Sequence, residues 1–411
     1  MNLNRKLFSG GHYFMKNFVF ISPEFPKTYF NFCDRLKKNG ITVLGISSTP
    51  YDELRPELKA CLTEYYKVED MNNYDEFIKA MGYFTYKYGK IDWVESNNEH
   101  WLTLDAKIRK DFNITTGINS DEIINYKSKS EMKKFYRQAR IPTPRWSMVS
   151  TLSKAQLFIE RVGYPVIVKP DIGVGAYHTH QINNEEELIN FYNNLPTDCE
   201  YIMEELISGD IITYDGICDS QGNVLVEASH ITPPIMNVVN NNTDVSYYTN
   251  IKVSNRLSSV GKKAIKAFNV KSRFFHLEFF KLSETKRGLG KAGRYVALEA
   301  NMRPAGGYTP DMINFANSFD IYQLWADMIA YDEIRHTYNG DKYYCVYASR
   351  RDNQNYMHSR DEIINHYGNS IVMNERIPDV LSGAMGNEMY TAKVETMKQL
   401  ESFIDYVLEK R

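Results

Sequence analysis

Between residues 17 and 115 short apolar runs alternate with segments of helical period. NFVFIS at 17–22 reads as a strand. From Thr28 to Asn39 the apolar residues Phe30, Cys33 and Leu36 recur at helical spacing, and Gly40 stops the run. A strand at 41–47, an amphipathic helix at 74–89 and a strand at 91–96 follow. This alternation predicts a small doubly wound α/β unit over 15–120. SPEFP, not GxGxxG, follows the first strand, so no dinucleotide site is expected there. Residues 1–14 precede the first strand-like run, as a loose extension or an ordinary docked arm. Residues 331–411, with strand-like YYCVYAS and SIVMN and an amphipathic helix from about Thr396, predict a smaller C-terminal α/β appendage. Asn240, Asn241 and Asn242 form a polar run that reads as a loop.

A chain of 411 residues exceeds one ordinary core and suits two or three packed domains. Its 43% hydrophobic and 24% charged residues are ordinary for globular proteins, and the net charge of −2 gives no global reason to expect nucleic acid or an anionic membrane as partner. No apolar run approaches the roughly 20 residues that span a bilayer, and the first residues lack the apolar segment of a secretory signal. The five cysteines are scattered without a CxxC pair, which fits a reducing cytoplasm and buried thiols and argues against a disulfide framework or a zinc site. His178 and His180 stand two apart, but no second ligand pair lies near them in sequence.

Candidate chemistry concentrates in 121–330. Ser128 and Glu131 have capping-box spacing, and Met132, Phe135, Tyr136 and Ala139 form an apolar helical stripe. Lys129 then takes the first helical position, where the helix dipole disfavours a cation. A nearby phosphate would reverse that penalty; a solvated lysine is the plain alternative. PVIVKP reads as a buried strand ending in Lys169, which needs an anion or an exit to water. Gly173, Gly175 and Ala176 follow, small residues whose backbone can approach an anion closely. No GK[ST] occurs, so this is not a Walker motif. In YIMEELISGD an apolar strand leads to Glu204 and Glu205, with Leu206, Ile207 and Gly209 behind. Such a segment can read an adenine edge by backbone groups and cover its faces with apolar side chains, or can be a plain charged strand end.

The strongest pattern is a pair of strand-like runs, FFHLEFF and RYVALEANMRPAGG, joined by a polar connection. Alternation puts His276 and Glu278 on one face of the first and Glu299 and Asn301 on one face of the second. Antiparallel pairing would bring Glu278, Glu299 and Asn301 together as a hard oxygen set suited to Mg²⁺, with phosphates and waters completing the octahedron. Arg303, at the same alternation, can stabilise transferring phosphoryl or acyl-phosphate oxygens. An acidic face turned to solvent is the alternative. His276 is a candidate general base or a satisfied core histidine.

Taken in order, these residues resemble the ATP-grasp superfamily over about 17–330, and within it the carboxylate–amine ligases that include bacterial L-amino-acid ligases. The resemblance implies an ATP-grasp domain over 121–330 with a mobile lid at about 145–207. It implies that Lys129 and Lys169 contact ATP phosphates, with Lys169 also at the adenine side, and that Gly173, Gly175 and Ala176 lie in the phosphate loop. Glu204, with Glu205 beside it, and the Leu206–Ile207 backbone would hold adenine. Glu278, Glu299 and Asn301 would ligate Mg²⁺, for which Mn²⁺ can substitute, and Arg303 would steady an acyl phosphate, with Lys169 as the second catalytic group. Ser128 stands where the family often has Asp, and Ile211 where many members carry an acidic ribose contact; Asp210, one residue early, is the substitute. The implied activity is ADP-forming ligation of a small-molecule carboxylate to an amine, in the cytoplasm, without nucleic acid or membrane and compatible with a homodimer. An ATP-grasp kinase, a carboxylase and a non-catalytic nucleotide-binding module are the alternatives; the absence of a biotin-carrier segment disfavours the carboxylase.

Overall fold

The computed structural model describes residues 16–173, 178–196 and 199–411. They form two compact units, one of residues up to 96 with 104–119, the other of 97–103 with 120–411.

In the first unit short apolar runs become strands and amphipathic segments become helices: β1 (Asn17–Ile21), α1 (Phe30–Lys38), β2 (Thr42–Ser47), α2 (Pro56–Cys61), β3 (Glu64–Lys67), α3 (Tyr74–Tyr88), β4 (Trp93–Glu95) and α4 (Leu102–Asp111). The strands lie parallel in the order β3-β2-β1-β4. Every residue of β1 and β2 is buried, as a parallel sheet covered on both faces requires. Arg109 pins the end of β4: its guanidinium lies 2.9 Å from Glu95 and donates to the carbonyls of Val94 and Ile118.

The second unit begins with α5 (Lys129–Gln138) and then a four-stranded antiparallel sheet. Its strands are β5 (Trp146–Met148), β6 (Val166–Pro170), β7 (His180–Ile182) and β8 (Tyr201–Glu205), in the order β5-β8-β6-β7. Helices α6 (Leu152–Val162) and α7 (Glu185–Asn193) cover it; Phe158, Ile159, Leu188, Val166, Val168 and Met203 belong to one core.

A nine-stranded sheet follows. It is built from β9 (Gly209–Cys218), β10 (Val224–Ala228), β11 (His230–Thr232), β12 (Val245–Thr249), β13 (Arg273–Leu282) and β14 (Tyr295–Asn301), then β15 (Tyr344–Arg350), β16 (Ile371–Arg376) and β17 (Glu388–Val394). Helices α8 (Ile235–Asn241), α9 (Asn255–Ala267), α10 (Thr309–Asn317), α11 (Ile321–Tyr331), α12 (Arg360–Tyr367), α13 (Asp379–Met385) and α14 (Met397–Leu408) fill the connections. The main path runs β14-β13-β9-β11-β12-β15-β17-β16, with β10 on β9. Strands after residue 331 therefore extend the sheet that carries β13 and β14, with Leu400, Phe403 and Val407 of α14 buried in the same core as Val346 and Ala392.

The asparagine run is not wholly a loop. Asn240 and Asn241 close α8, and Asn242 ends it in the left-handed region at φ 49°, which asparagine tolerates. The cysteines are not all buried either: Cys199 is exposed and the other four are buried. Among the described residues no helix is long and apolar enough to cross a membrane.

Candidate nucleotide and metal site

β13 lies between β9 and β14, antiparallel to both. Its Phe279 meets Tyr136 of α5, which also packs on Phe268, so the apolar side of the strand is fixed. The polar alternation then falls on the other side. His276 stands opposite Asn301, and Glu278 opposite Glu299. Directly beyond, Phe279 pairs with Ala297 and leaves Leu298 as an extra residue, a bulge beside the two carboxylates. The Tyr136 hydroxyl donates to the Glu299 carbonyl at 2.9 Å, which ties α5 to this point of β14.

Electrostatics hold the acidic face in place. His276 Nδ1 donates to Asp215 of β9 at 2.5 Å and Nε2 to Glu278 at 3.0 Å. Burial alone would favour a neutral ring, but the Asp215 and Glu278 carboxylates raise the His276 pKa to about 9. Both ring nitrogens are engaged by carboxylates, which favours the satisfied histidine over the general base. Asp215 also receives His230 Nδ1 at 2.8 Å and the Thr213 hydroxyl. Burial would raise its pKa, and the two histidines bring it well below the usual carboxylate range. Glu278 follows the same logic: burial opposes ionisation, while His276 and Arg303 lower its pKa.

Lys129 begins α5 behind the Ser128 cap, whose hydroxyl accepts from the Glu131 amide at 3.1 Å. The reciprocal half of a capping box is not formed; the Glu131 carboxylate pairs with Lys134. The Lys129 ammonium donates to Gly173 O at 3.3 Å and lies 3.7 Å from Glu299. The anion at the helix start is the protein's own Asp171. Its carboxylate accepts from the Ser128 hydroxyl at 2.5 Å and the Ser130 amide at 2.7 Å, and its carbonyl from the Lys129 amide at 2.9 Å. The first residues after β6 are thus fastened to the start of α5.

Lys169, near the end of β6, lies 2.9 Å from Glu204 of β8, and Lys133 of α5 lies 2.5 Å from the other Glu204 oxygen. Burial would raise the Glu204 pKa, but the two ammonium groups hold it at about 2. The carboxylate expected to face an adenine amine is therefore engaged by two lysines. Glu205 points to the opposite side of the strand, where the Arg145 guanidinium grips it at 3.0 and 2.6 Å and Lys286 lies 3.5 Å away. Lys286 also donates to the Leu206 carbonyl. Ile207 is buried with Leu282, Leu289 and Val296. Asp210 is exposed on β9 opposite Lys281. Gly175 and Ala176 lie outside the described residues, as do residues 1–14.

The structure thus sets Lys129 beside Glu299, pairs Glu299 with Glu278 and Asn301 with His276 across β13 and β14, and links Glu278 electrostatically to Arg303. Arg303 Nε donates to Glu99 at 3.0 Å, and Lys127 lies 3.7 Å from the same carboxylate. Glu205, Leu206, Ile207 and Asp210 join other groups. Sequence reasoning missed Lys133, Asp171, Asp215 and Glu99. Lys133 stood four residues after Lys129, hence on the same helix face, which was a usable signal; nothing in local spacing pointed to Glu99.

Among the described residues no three or more His, Cys, Asp or Glu side chains cluster as a complete metal site. Two glutamates opposite one another on paired strands are a partial hard-oxygen shell, which fits a Mg²⁺ ion that takes its remaining ligands from phosphate and water.

Residues 162–309 match the family model of the ATP-grasp domain, a span that holds every residue above from Lys169 to Arg303. The L-amino acid ligase from Bacillus licheniformis superposes with a TM-score of 0.69 at 14% identity, over 95% of this chain and 96% of that one. Phosphoribosylglycinamide synthetase from Anaerococcus prevotii gives 0.65 at 16% identity, over 96% and 98%. The biotin carboxylase domain of Hydrogenobacter thermophilus 2-oxoglutarate carboxylase, solved with MgADP, ADP and bicarbonate, gives 0.65 at 16% identity, over 93% and 87%. These likenesses extend the shared fold over nearly the whole chain, and residues 162–309 carry the ATP-grasp domain.

Proposed function

We propose that this chain is an ADP-forming ligase that uses Mg-ATP to activate a small-molecule carboxylate, such as that of an amino acid, as an acyl phosphate, and joins it to an amine. The observation that carries the reading is Glu278 facing Glu299 across two paired strands, with the Lys129 ammonium 3.7 Å from Glu299. Adjacent carboxylates repel unless cations neutralise them. Mg²⁺, or Mn²⁺ in its place, would be held by Glu278, Glu299 and Asn301 and would neutralise charge on the phosphates. Lys129 and Lys169 would bind the terminal phosphates, and neutralising and positioning charge is the main task in phosphoryl transfer. His276, anchored by Asp215, would hold Glu278 in one orientation. Arg303, anchored by Glu99 through Nε, would present its other nitrogens to the acceptor carboxylate and then to the acyl phosphate. An uncharged amine attacks an acyl phosphate without strong base help, so the lack of an assigned base is no obstacle. Adenine recognition would rest on the Leu206–Ile207 segment more than on the Glu204 or Glu205 carboxylates, both of which are ion-paired.

The test is phosphate release across amino acids, singly and in pairs, with mass spectrometry of active mixtures. The reading expects an amide product with one ADP and one inorganic phosphate per bond. Stoichiometric AMP would make this an adenylating enzyme, and a stable phosphorylated hydroxyl without free phosphate a kinase. Nucleotide binding without acceptor-dependent ADP release would leave a binding module.

A further inference from the structure

Lys133 has no role in the reading above, yet it is a lysine with 3% exposure. It follows Lys129 by one helical turn, and its ammonium sits 2.5 Å from Glu204 Oε1, while Lys169 holds Oε2 at 2.9 Å. The three charged groups come from α5, β8 and β6, and all are buried. A buried carboxylate facing a single ammonium forms a tight neutral pair, because attraction is strong in a low dielectric. Such a pair would leave Lys169 little positive field to offer another anion. Two ammonium groups on one carboxylate leave the cluster with excess positive charge, even though burial lowers the Lys133 pKa. Lys169 lies where that excess can act, since after Glu204 its strongest anionic influence is Glu299 of the acidic face.

We propose that Lys133 is a positioning residue of the nucleotide site: by occupying one oxygen of Glu204, it keeps Lys169 from being neutralised by that carboxylate and leaves it able to bind phosphate. This rests on the Mg-ATP reading. Lys133 does not touch the nucleotide; it acts through Glu204. A role confined to fastening β8 to α5 through that ion pair would show in melting temperature and leave the Mg-ADP affinity of the folded chain unchanged.

The experiment measures Mg-ADP dissociation constants by titration calorimetry for the unaltered chain, Lys133→Met, Lys133→Arg and Lys133→Met/Glu204→Gln. Lys133→Met should weaken binding by roughly ten- to a hundredfold, the range for one hydrogen bond to a charged group. Lys133→Arg should keep most of the affinity, since it retains the charge. The double variant should recover most of the loss, because no carboxylate then draws Lys169 back. A folded Lys133→Met chain that binds Mg-ADP like the parent, or a double variant no tighter than the single, would overturn the proposal. Should Lys133→Met not fold, Glu204→Gln alone decides: tighter Mg-ADP binding supports the proposal and weaker binding overturns it. An unaltered chain that does not bind Mg-ADP removes the nucleotide reading itself, and the proposal with it.

Discussion

Replacing Asp171 with alanine tests the junction between β6 and α5. The carboxylate is 5% exposed and accepts from the Ser130 amide at 2.7 Å, the Ser128 hydroxyl at 2.5 Å and the Ser130 hydroxyl at 3.1 Å. The amide is an orphan donor of the first helical turn, and losing a charged acceptor there costs about 1–2 kcal/mol. The hydroxyls contribute less, because Ser128 and Ser130 already lie 3.0 Å apart and can bond each other. The total for Asp171→Ala is therefore about 2–3 kcal/mol, and for Asp171→Asn, which retains an acceptor oxygen but not the charge, about 1 kcal/mol. Urea unfolding at constant slope measures both, and hydrogen exchange of the amides at 130 and 131 reports the local loss. An alanine variant within about 0.5 kcal/mol of the parent, with unchanged exchange at those amides, would refute the latch.

The Glu204 pKa is depressed to about 2 by Lys133 and Lys169 against the effect of burial, so its contribution, about 3 kcal/mol, is present above its unfolded value and lost as pH falls from about 4.5 toward 2; Glu204→Gln should flatten that part of the acid limb, and an identical limb would count against the ion triad. A Cβ at Gly216 would overlap the Val226 carbonyl and the Phe275 ring in the middle of the large sheet, so Gly216→Ala should cost at least about 2 kcal/mol in urea unfolding; an unchanged midpoint would show that β9 and β10 can part without penalty. Cys199 is exposed while burial raises the thiol pKa of Cys33, Cys61, Cys218 and Cys345, so one thiol per chain should react promptly with an aromatic disulfide under native conditions; two or more prompt equivalents would contradict the packing.

The site was legible where one element carried its own pattern. Glu278 and Glu299 could be assigned to facing strands because period-two alternation is local and a short polar connection implies antiparallel pairing. Their register could not be read, since the bulge at Leu298 depends on how β14 meets β13. The Ser128 cap and Lys129 at the helix start were legible for the same local reason. The partners of both were not: Asp171 lies more than 40 residues away, and spacing along one chain says nothing of which loop returns to a helix. Glu204 shows the limit most clearly. An acidic strand end looks the same whether it faces solvent, adenine or two lysines, and only the placement of α5 against β8 decides among them. The asparagine run misled because polar composition predicts loops, whereas the short helix it closes packs against α13.

On the proposed reading, Glu299 has two claimants. Its carboxylate lies 3.7 Å from Lys129, longer than a hydrogen-bonded ion pair, and its side chain is 24% exposed. A contact this loose is readily exchanged. When Lys129 turns to a phosphate, Glu299 loses its cation and gains reason to take a metal; when a metal occupies Glu299, Lys129 is released toward phosphate. The two events assist one another, so metal and nucleotide binding should be positively coupled, with the reciprocity that linkage demands. Glu299→Gln removes the shared charge while keeping the shape. Its Mg²⁺-free ADP affinity should equal or exceed that of the parent, because Lys129 is no longer held back, while the enhancement of ADP affinity by Mg²⁺ should fall by roughly tenfold or more, the range of ordinary coupling energies. Turnover should fall with it in a chain that still folds. Calorimetry of ADP with and without Mg²⁺ on both proteins decides the matter: an undiminished Mg²⁺ enhancement in Glu299→Gln would remove Glu299 from the metal site, and a weaker Mg²⁺-free affinity would show that Lys129 depends on Glu299 for its position rather than competing with phosphate for it.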